Sequence, residues 1–173
     1  MEKTAEILLP SADATARLAV ALGAHLNGGD VVLLSGDVGA GKTHFARSLI
    51  QSRLADPEDV PSPTFTLVQV YDAPEVEIWH SDLYRLSGPD QVFELGLADA
   101  FETAVCLVEW PDRLGDLTPS SALSATFTDG DNDDARVAHF SWTDSRWDDL
   151  MQQVTAGRIF CCFLVGPRPS TSL

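Results

Sequence analysis

Gly36-Asp37-Val38-Gly39-Ala40-Gly41-Lys42-Thr43 decides the fold. It fits G-x-x-x-x-G-K-S/T at every position, and a phosphate-binding loop needs that order. Glycines let the backbone turn so that successive N–H groups converge on phosphate oxygens. A helix that begins at the end of the loop directs its N-terminus at the same anion. The Lys42 ammonium can then reach β- and γ-phosphates, and the Thr43 hydroxyl can ligate Mg²⁺. With glycine near 7% of residues, a chance match in a chain of this length is on the order of one per cent. The flanks agree with the motif. Asp30-Val31-Val32-Leu33-Leu34-Ser35 leads in as a buried strand, and residues 42–54 lead out as a helix. The alternative is a glycine turn that holds no ligand. Asp37 is an unusual neighbour for a triphosphate; its side chain is expected to point outwards while its backbone serves the loop.

Away from the loop, strands and helices alternate. Residues 4–9 suit a short strand, and Ser11 suits the N-cap of a helix with Asp13 in its first turn. Leu18, Leu22 and Leu26 form an apolar helical stripe that runs to the Asn27-Gly28-Gly29 stop. Residues 64–71 and 75–84 are strand candidates, and 89–102 reads as helix with a break near Gly96. Residues 104–109 repeat the buried-strand pattern, 121–128 and 135–141 read as a hairpin, and 143–156 reads as a surface helix. This order predicts an α/β sandwich of the P-loop NTPase type, with a mixed central sheet flanked by helices. The apolar run at 159–165 reads as one more strand or as a cover for a partner surface.

Composition narrows the function. The chain of 173 residues holds 26 acidic and 11 basic side chains, a formal net charge of −15. Phosphate neutralisation needs a basic surface, so autonomous nucleic-acid binding is disfavoured. Docking on an anionic membrane is disfavoured for the same reason. Only Lys3 and Lys42 supply ammonium groups, so any internal task for one falls to Lys42. The first residues lack the pattern of a secretory signal, and no apolar run approaches a membrane span. Cys106, Cys161 and Cys162 form neither a disulfide framework nor metal-ligand spacing. The expected setting is the cytoplasm.

Hydrolysis needs more than the loop: a carboxylate on the metal side and a group that positions water. Glu109 ends the second buried strand, where it would project from the sheet edge beside the loop. It reads equally well as an ordinary strand-end charge. His80, Asp82 and Tyr84 face one way by strand alternation. They suit either water activation or a solvated face. Arg85 is placed to pair with Asp82 or to reach a phosphate. Thr64, in Ser62-Pro63-Thr64-Phe65, offers a hydroxyl to metal or γ-phosphate. Trp110 suits stacking on adenine, although core packing is the commoner use of such a residue.

Four blocks together resemble the bacterial TsaE (YjeE) ATPases of tRNA threonylcarbamoyladenosine biosynthesis. They are G-D-V-G-A-G-K-T at 36–43, S-P-T-F at 62–65, H-S-D-L-Y-R-L at 80–86 and V-E-W-P at 108–111. The similarity runs from about residue 4 to 141. It implies ATP and Mg²⁺ as cofactors, bound along Gly36, Asp37, Val38, Gly39, Ala40, Gly41, Lys42, Thr43 and His44. Thr43 and Glu109 would hold the metal. Asp82 would be the catalytic carboxylate, with Lys42 beside it. Thr64 would sit in a nucleotide-responsive loop, and Trp110 close to the nucleotide. The implied partners are the TsaB–TsaD heterodimer, which performs the threonylcarbamoyl transfer, with tRNA reached only through that complex. Residues 1–157 would form the P-loop ATPase domain and 158–173 a partly disordered tail. Val38 stands where the family commonly carries leucine, a similar volume. Residues after Ser141 match nothing in the family pattern.

Two other P-loop readings are weaker. A small-molecule kinase often carries a basic lid, and the 11 basic residues here form no cluster. A guanine-reading switch usually carries an N-K-x-D-like element. Glu2 precedes Lys3 and Lys42 lies inside the loop, so that element is absent.

Overall fold

A computed structural model describes residues 1–157. The 159–165 run, Cys161, Cys162 and the expected tail at 158–173 lie outside the described residues. In chain order the elements are β1 (Lys3–Leu9), α1 (Ala12–Gly23), β2 (Val31–Ser35), α2 (Lys42–Arg53), β3 (Val68–Asp72) and β4 (Glu77–Asp82). There follow α3 (Pro89–Glu94), α4 (Leu97–Thr103), β5 (Val105–Glu109), a 3-10 segment Pro111–Leu117, β6 (Leu123–Asp129), β7 (Arg136–Trp142) and α5 (Asp148–Thr155). Among the described residues no helix is long and apolar enough to cross a membrane.

The strands build one seven-stranded sheet in the order β1-β7-β6-β2-β5-β4-β3. The middle of the sheet is parallel: β2 pairs with β5 and β6, and β4 pairs with β5. Its flanks are antiparallel, through β1–β7, β6–β7 and β3–β4. This is the mixed sheet expected from the alternating pattern.

Continuous apolar runs in β2 and β5 follow from burial on both faces. Val32, Leu34, Val105 and Leu107 join the core beneath α1, α2 and α5. Val31, Leu33, Cys106 and Val108 join a second core with Leu83, Val92, Leu97 and Leu114. β6 and β7 alternate instead, burying Ala125, Phe127, Ala138 and Phe140 towards the first core. Burial pushes the Cys106 thiol up to about 12, so it is a small inert hydrophobe.

Ser11 caps α1 as expected, its Oγ accepting from the Ala14 N–H at 3.1 Å. The helix breaks between α3 and α4 at Gly96, as expected. Three boundaries differ from the sequence reading. α1 ends at Gly23 rather than at Asn27-Gly28-Gly29; Leu26 is still buried, from a turn. Residues 64–67 form a turn before β3 rather than its first half. Leu67 has φ +67°, and its N–H donates to the Pro63 carbonyl at 2.7 Å, which closes the segment on itself. The 143–156 stretch is only half a surface helix: Trp147, Leu150, Met151 and Val154 are buried. Their helical spacing puts them on one face against the first core.

Candidate functional site

Three parallel strands end at the same edge of the sheet, and their ends carry the site. β2 delivers the glycine loop. Glu109 closes β5 and Asp82 closes β4, and the two are paired partners in register. On its other side Glu109 pairs with Leu34 of β2. Sheet register alone therefore brings the loop and both carboxylates together. The three border one cavity of about 440 Å³.

The loop has the geometry of an anion cradle. Gly39 and Gly41 have φ of +83° and +105°, conformations that cost other residues dearly. Gly36, at φ +137°, is closed to side chains for a second reason: a Cβ there would lie 2.6 Å from the Phe127 carbonyl oxygen. Asp37 is exposed, as expected, and its carbonyl accepts from the Ala40 N–H at 3.0 Å. Val38 is exposed at the rim.

Lys42 opens α2 and is buried, 5% exposed. Its Nζ donates to the Gly36 and Asp37 carbonyls, at 2.6 and 2.9 Å. It also lies 4.4 Å from the centre of the Trp110 ring, a cation–π contact. Burial pushes its ammonium below the ordinary lysine value, against the opposing fields of Glu109, Asp82 and Asp37.

Glu109 is held from both sides. Thr43 Oγ1 donates to its Oε1 at 2.8 Å, and His80 Nε2 to its Oε2 at 2.7 Å. Asp82 is also held at both oxygens. Its Oδ2 accepts from Thr64 Oγ1 at 3.3 Å and its Oδ1 from the Tyr84 N–H at 3.0 Å. Ser62 and Thr64 exchange a hydrogen bond of 2.7 Å.

The structure thus joins Lys42, Thr43, Thr64, Asp82, Glu109 and Trp110 around one cavity. His44 borders it too, but its Nε2 donates to the Ala12 carbonyl at 2.8 Å. Two sequence-based possibilities go differently. His80 is turned to Glu109, which receives its Nε2 at 2.7 Å. Arg85 meets neither Asp82 nor the loop: it is exposed and covers the Phe65 ring at 4.8 Å. Tyr84 lies past the end of β4, its ring 4.9 Å from that of Trp110. Arg136 of β7 was not singled out by the sequence, yet it touches the loop. A lone arginine in a strand carries no signal that would find it.

The donor set fits a polyphosphate with a hard divalent cation. Two carboxylates and one ammonium line the inner wall, so a polyanion without a counter-ion would meet net negative charge. The Thr43–Glu109 oxygen pair is the oxygen-rich, partly carboxylate environment that Mg²⁺ prefers.

The family model for the threonylcarbamoyl adenosine biosynthesis protein TsaE matches residues 9–138. A Rickettsia bellii protein named tRNA threonylcarbamoyladenosine biosynthesis protein TsaE is 37% identical over 128 residues, which are 74% of this chain and 89% of that one. A Nostoc protein of the same name is 35% identical over 136 residues, 76% of this chain and 82% of that one. Among solved structures, Bacillus subtilis YdiB superposes with a TM-score of 0.73 at 25% identity, covering 91% of this chain and 98% of that one.

Proposed function

The chain belongs to the TsaE family, whose members act in tRNA threonylcarbamoyladenosine biosynthesis, and we propose that it hydrolyses Mg-ATP to support that modification. The observation that carries this reading is the convergence of Lys42, the Thr43–Glu109 pair and Asp82 on one cavity beside the glycine loop.

Each residue has a role that follows from its contacts. The loop N–H groups and the start of α2 bind the phosphates. Lys42 exchanges its loop carbonyls for β- and γ-phosphate oxygens, which restores the charge partner that burial denies it. Thr43 and Glu109 would hold Mg²⁺, which neutralises phosphate charge. Asp82 is fixed by Thr64 and the Tyr84 N–H, so a carboxylate oxygen is aimed without needing to reorganise. In the reaction a water oxygen bonds to the γ-phosphorus, the bond from phosphorus to the ADP oxygen breaks, and the water proton passes to Asp82. Trp110 and Tyr84 supply an aromatic wall.

Hydrolysis would be coupled to the TsaB–TsaD heterodimer. A chain at −15 leaves tRNA contact to its partners, and the expected place of work is the cytoplasm. The test is ATP turnover by the parent and Lys42→Ala, each with and without the heterodimer. Turnover that rises on addition of the pair and vanishes in the variant supports the proposal. Unchanged turnover in Lys42→Ala overturns the site, and equal rates with and without the pair overturn the coupling.

A further inference from the structure

We propose that Arg136 is a positioning residue for the phosphate-binding loop: from β7 it holds two successive loop carbonyls outward, and so closes the loop's internal turn and aims the Gly41 N–H inward. Its Nη2 donates to the Gly39 carbonyl at 3.0 Å and its Nε to the Ala40 carbonyl at 3.1 Å. A trans peptide is planar, so its C=O and N–H point opposite ways. Holding the Gly39 carbonyl directs the Ala40 N–H onto the Asp37 carbonyl, at 3.0 Å. That carbonyl also receives Lys42. Holding the Ala40 carbonyl turns the Gly41 N–H away from Arg136, to the side where the anion belongs.

The loop needs such a hold because Ala40 is its one side chain packed into the core, and the residues on either side of it are open. Apart from the adjoining residues of the chain, nothing lies within 4 Å of where a side chain would begin at Gly39 or Gly41, and Val38 is 84% exposed. Arg136 is itself anchored from behind. Its Nη1 donates to the Asp133 and Ala135 carbonyls, both at 2.7 Å, and its side chain is only 18% exposed. The hairpin tip that carries those carbonyls is closed independently, by Asn132 Oδ1 accepting from the Asp134 and Ala135 N–H groups. A planar fork reaches two adjacent acceptors together; an ammonium on a flexible stem does not.

This inference rests on the phosphate-binding reading above, and its test separates the two. Parent, Arg136→Gln, Arg136→Lys and Asn132→Ala are compared by binding of a fluorescent ATP analogue with Mg²⁺. Nucleotide-free NMR order parameters are measured at the Ala40 and Gly41 amides. Loss of the bonds in Arg136→Gln is expected to weaken binding roughly tenfold or more, with Arg136→Lys between it and the parent. Asn132→Ala, which loosens only the hairpin tip, is expected to stay within about twofold of the parent. Order parameters at both amides are expected to fall in Arg136→Gln and to hold in Asn132→Ala. Parent-like binding in Arg136→Gln, full rescue by lysine, or an equal loss in Asn132→Ala overturns the proposal. A parent that binds no analogue defeats the phosphate-binding reading. The order parameters still decide on Arg136 in that case, and unchanged values in Arg136→Gln overturn it.

Discussion

His80 donates from Nε2 to Oε2 of Glu109 across 2.7 Å, and their side chains are 0% and 2% exposed. The carboxylate that faces Thr43 is therefore aimed by a neighbour that water does not reach. Partners of this kind fix the orientation of a metal-side ligand. His80→Ala is expected to lower Mg²⁺-dependent turnover by about 10- to 100-fold. His80→Gln can place a donor near the position of Nε2 and is expected to recover part of the loss. Turnover titrated against Mg²⁺ checks this: the alanine variant should need more Mg²⁺. Parent-like Mg²⁺ dependence would remove His80 from the site.

Asp82 differs from Glu109 in its partners, and so in what its loss should do. Among the described residues it pairs with no basic side chain, and its two oxygens accept hydrogen bonds from Thr64 and the Tyr84 backbone. Asp82→Asn conserves the shape but cannot take a proton as a carboxylate does. It is expected to cost about 10²- to 10⁴-fold in turnover, with ATP affinity near the parent's. Thr64→Val, which removes one orienting bond, should fall between the two. Single-turnover rates alongside nucleotide titration separate these effects; a fall in affinity alone would mean that Asp82 acts in binding.

Most of the site was legible because two local rules placed it. The glycine loop has a sequence signature, and a carboxylate that ends an apolar parallel strand must project from the sheet edge. Glu109 came from that second rule, whereas Asp82 came from strand alternation and the family resemblance; the register makes the two neighbours. Arg136 and the Glu109-facing ring of His80 were not legible, because both depend on how distant strands stack. Arg136 lies 96 residues from Ala40 in sequence, and no periodicity links them. The start of β3 was misread because β-branched and aromatic residues at 64–67 look like strand. The left-handed backbone at Leu67 overrides that propensity. The buried face of α5 was underestimated because the polar 143–149 stretch masks the apolar spacing from Trp147 onward.

Acid dependence can be traced at one surface site. Asp148 accepts from Lys3 Nζ at 2.6 Å and from the Trp142 indole at 2.9 Å. The Lys3 bond first, then the Trp142 bond, holds its carboxyl below the ordinary aspartate value. The folded state therefore binds this proton less readily than the unfolded chain. The stabilisation is present above the unfolded pKa and is lost as pH falls through the folded one. Asp148→Asn should have a lower Tm than the parent at about pH 7, and the gap should close below about pH 4. Both partners are partly exposed, so the gap is expected to be small and to shrink with salt. Thermal melts of both proteins across pH check it, and a gap that widens in acid would reverse the assignment.

Trp110 sits in a left-handed conformation, at φ +58°, which costs a non-glycine residue about 1–2 kcal/mol. Its N–H donates to the Leu34 carbonyl at 3.2 Å, and its ring is in contact with both Lys42 and Tyr84. The ring held by this backbone meets both the loop lysine and the cavity. Trp110→Ala keeps most of the strain and removes the ring, so it should weaken Mg-ATP binding several-fold, in keeping with a cation–π contribution of about 0.5–2 kcal/mol. Trp110→Phe keeps an aromatic face and should lie closer to the parent. Tryptophan emission gives an independent readout. Trp79, Trp142 and Trp147 do not border the cavity, so a nucleotide-induced change in the parent should disappear in Trp110→Phe. If that change persists undiminished in Trp110→Phe, or if Trp110→Ala binds Mg-ATP as tightly as the parent, Trp110 is a packing residue and the nucleotide lies elsewhere along the cavity.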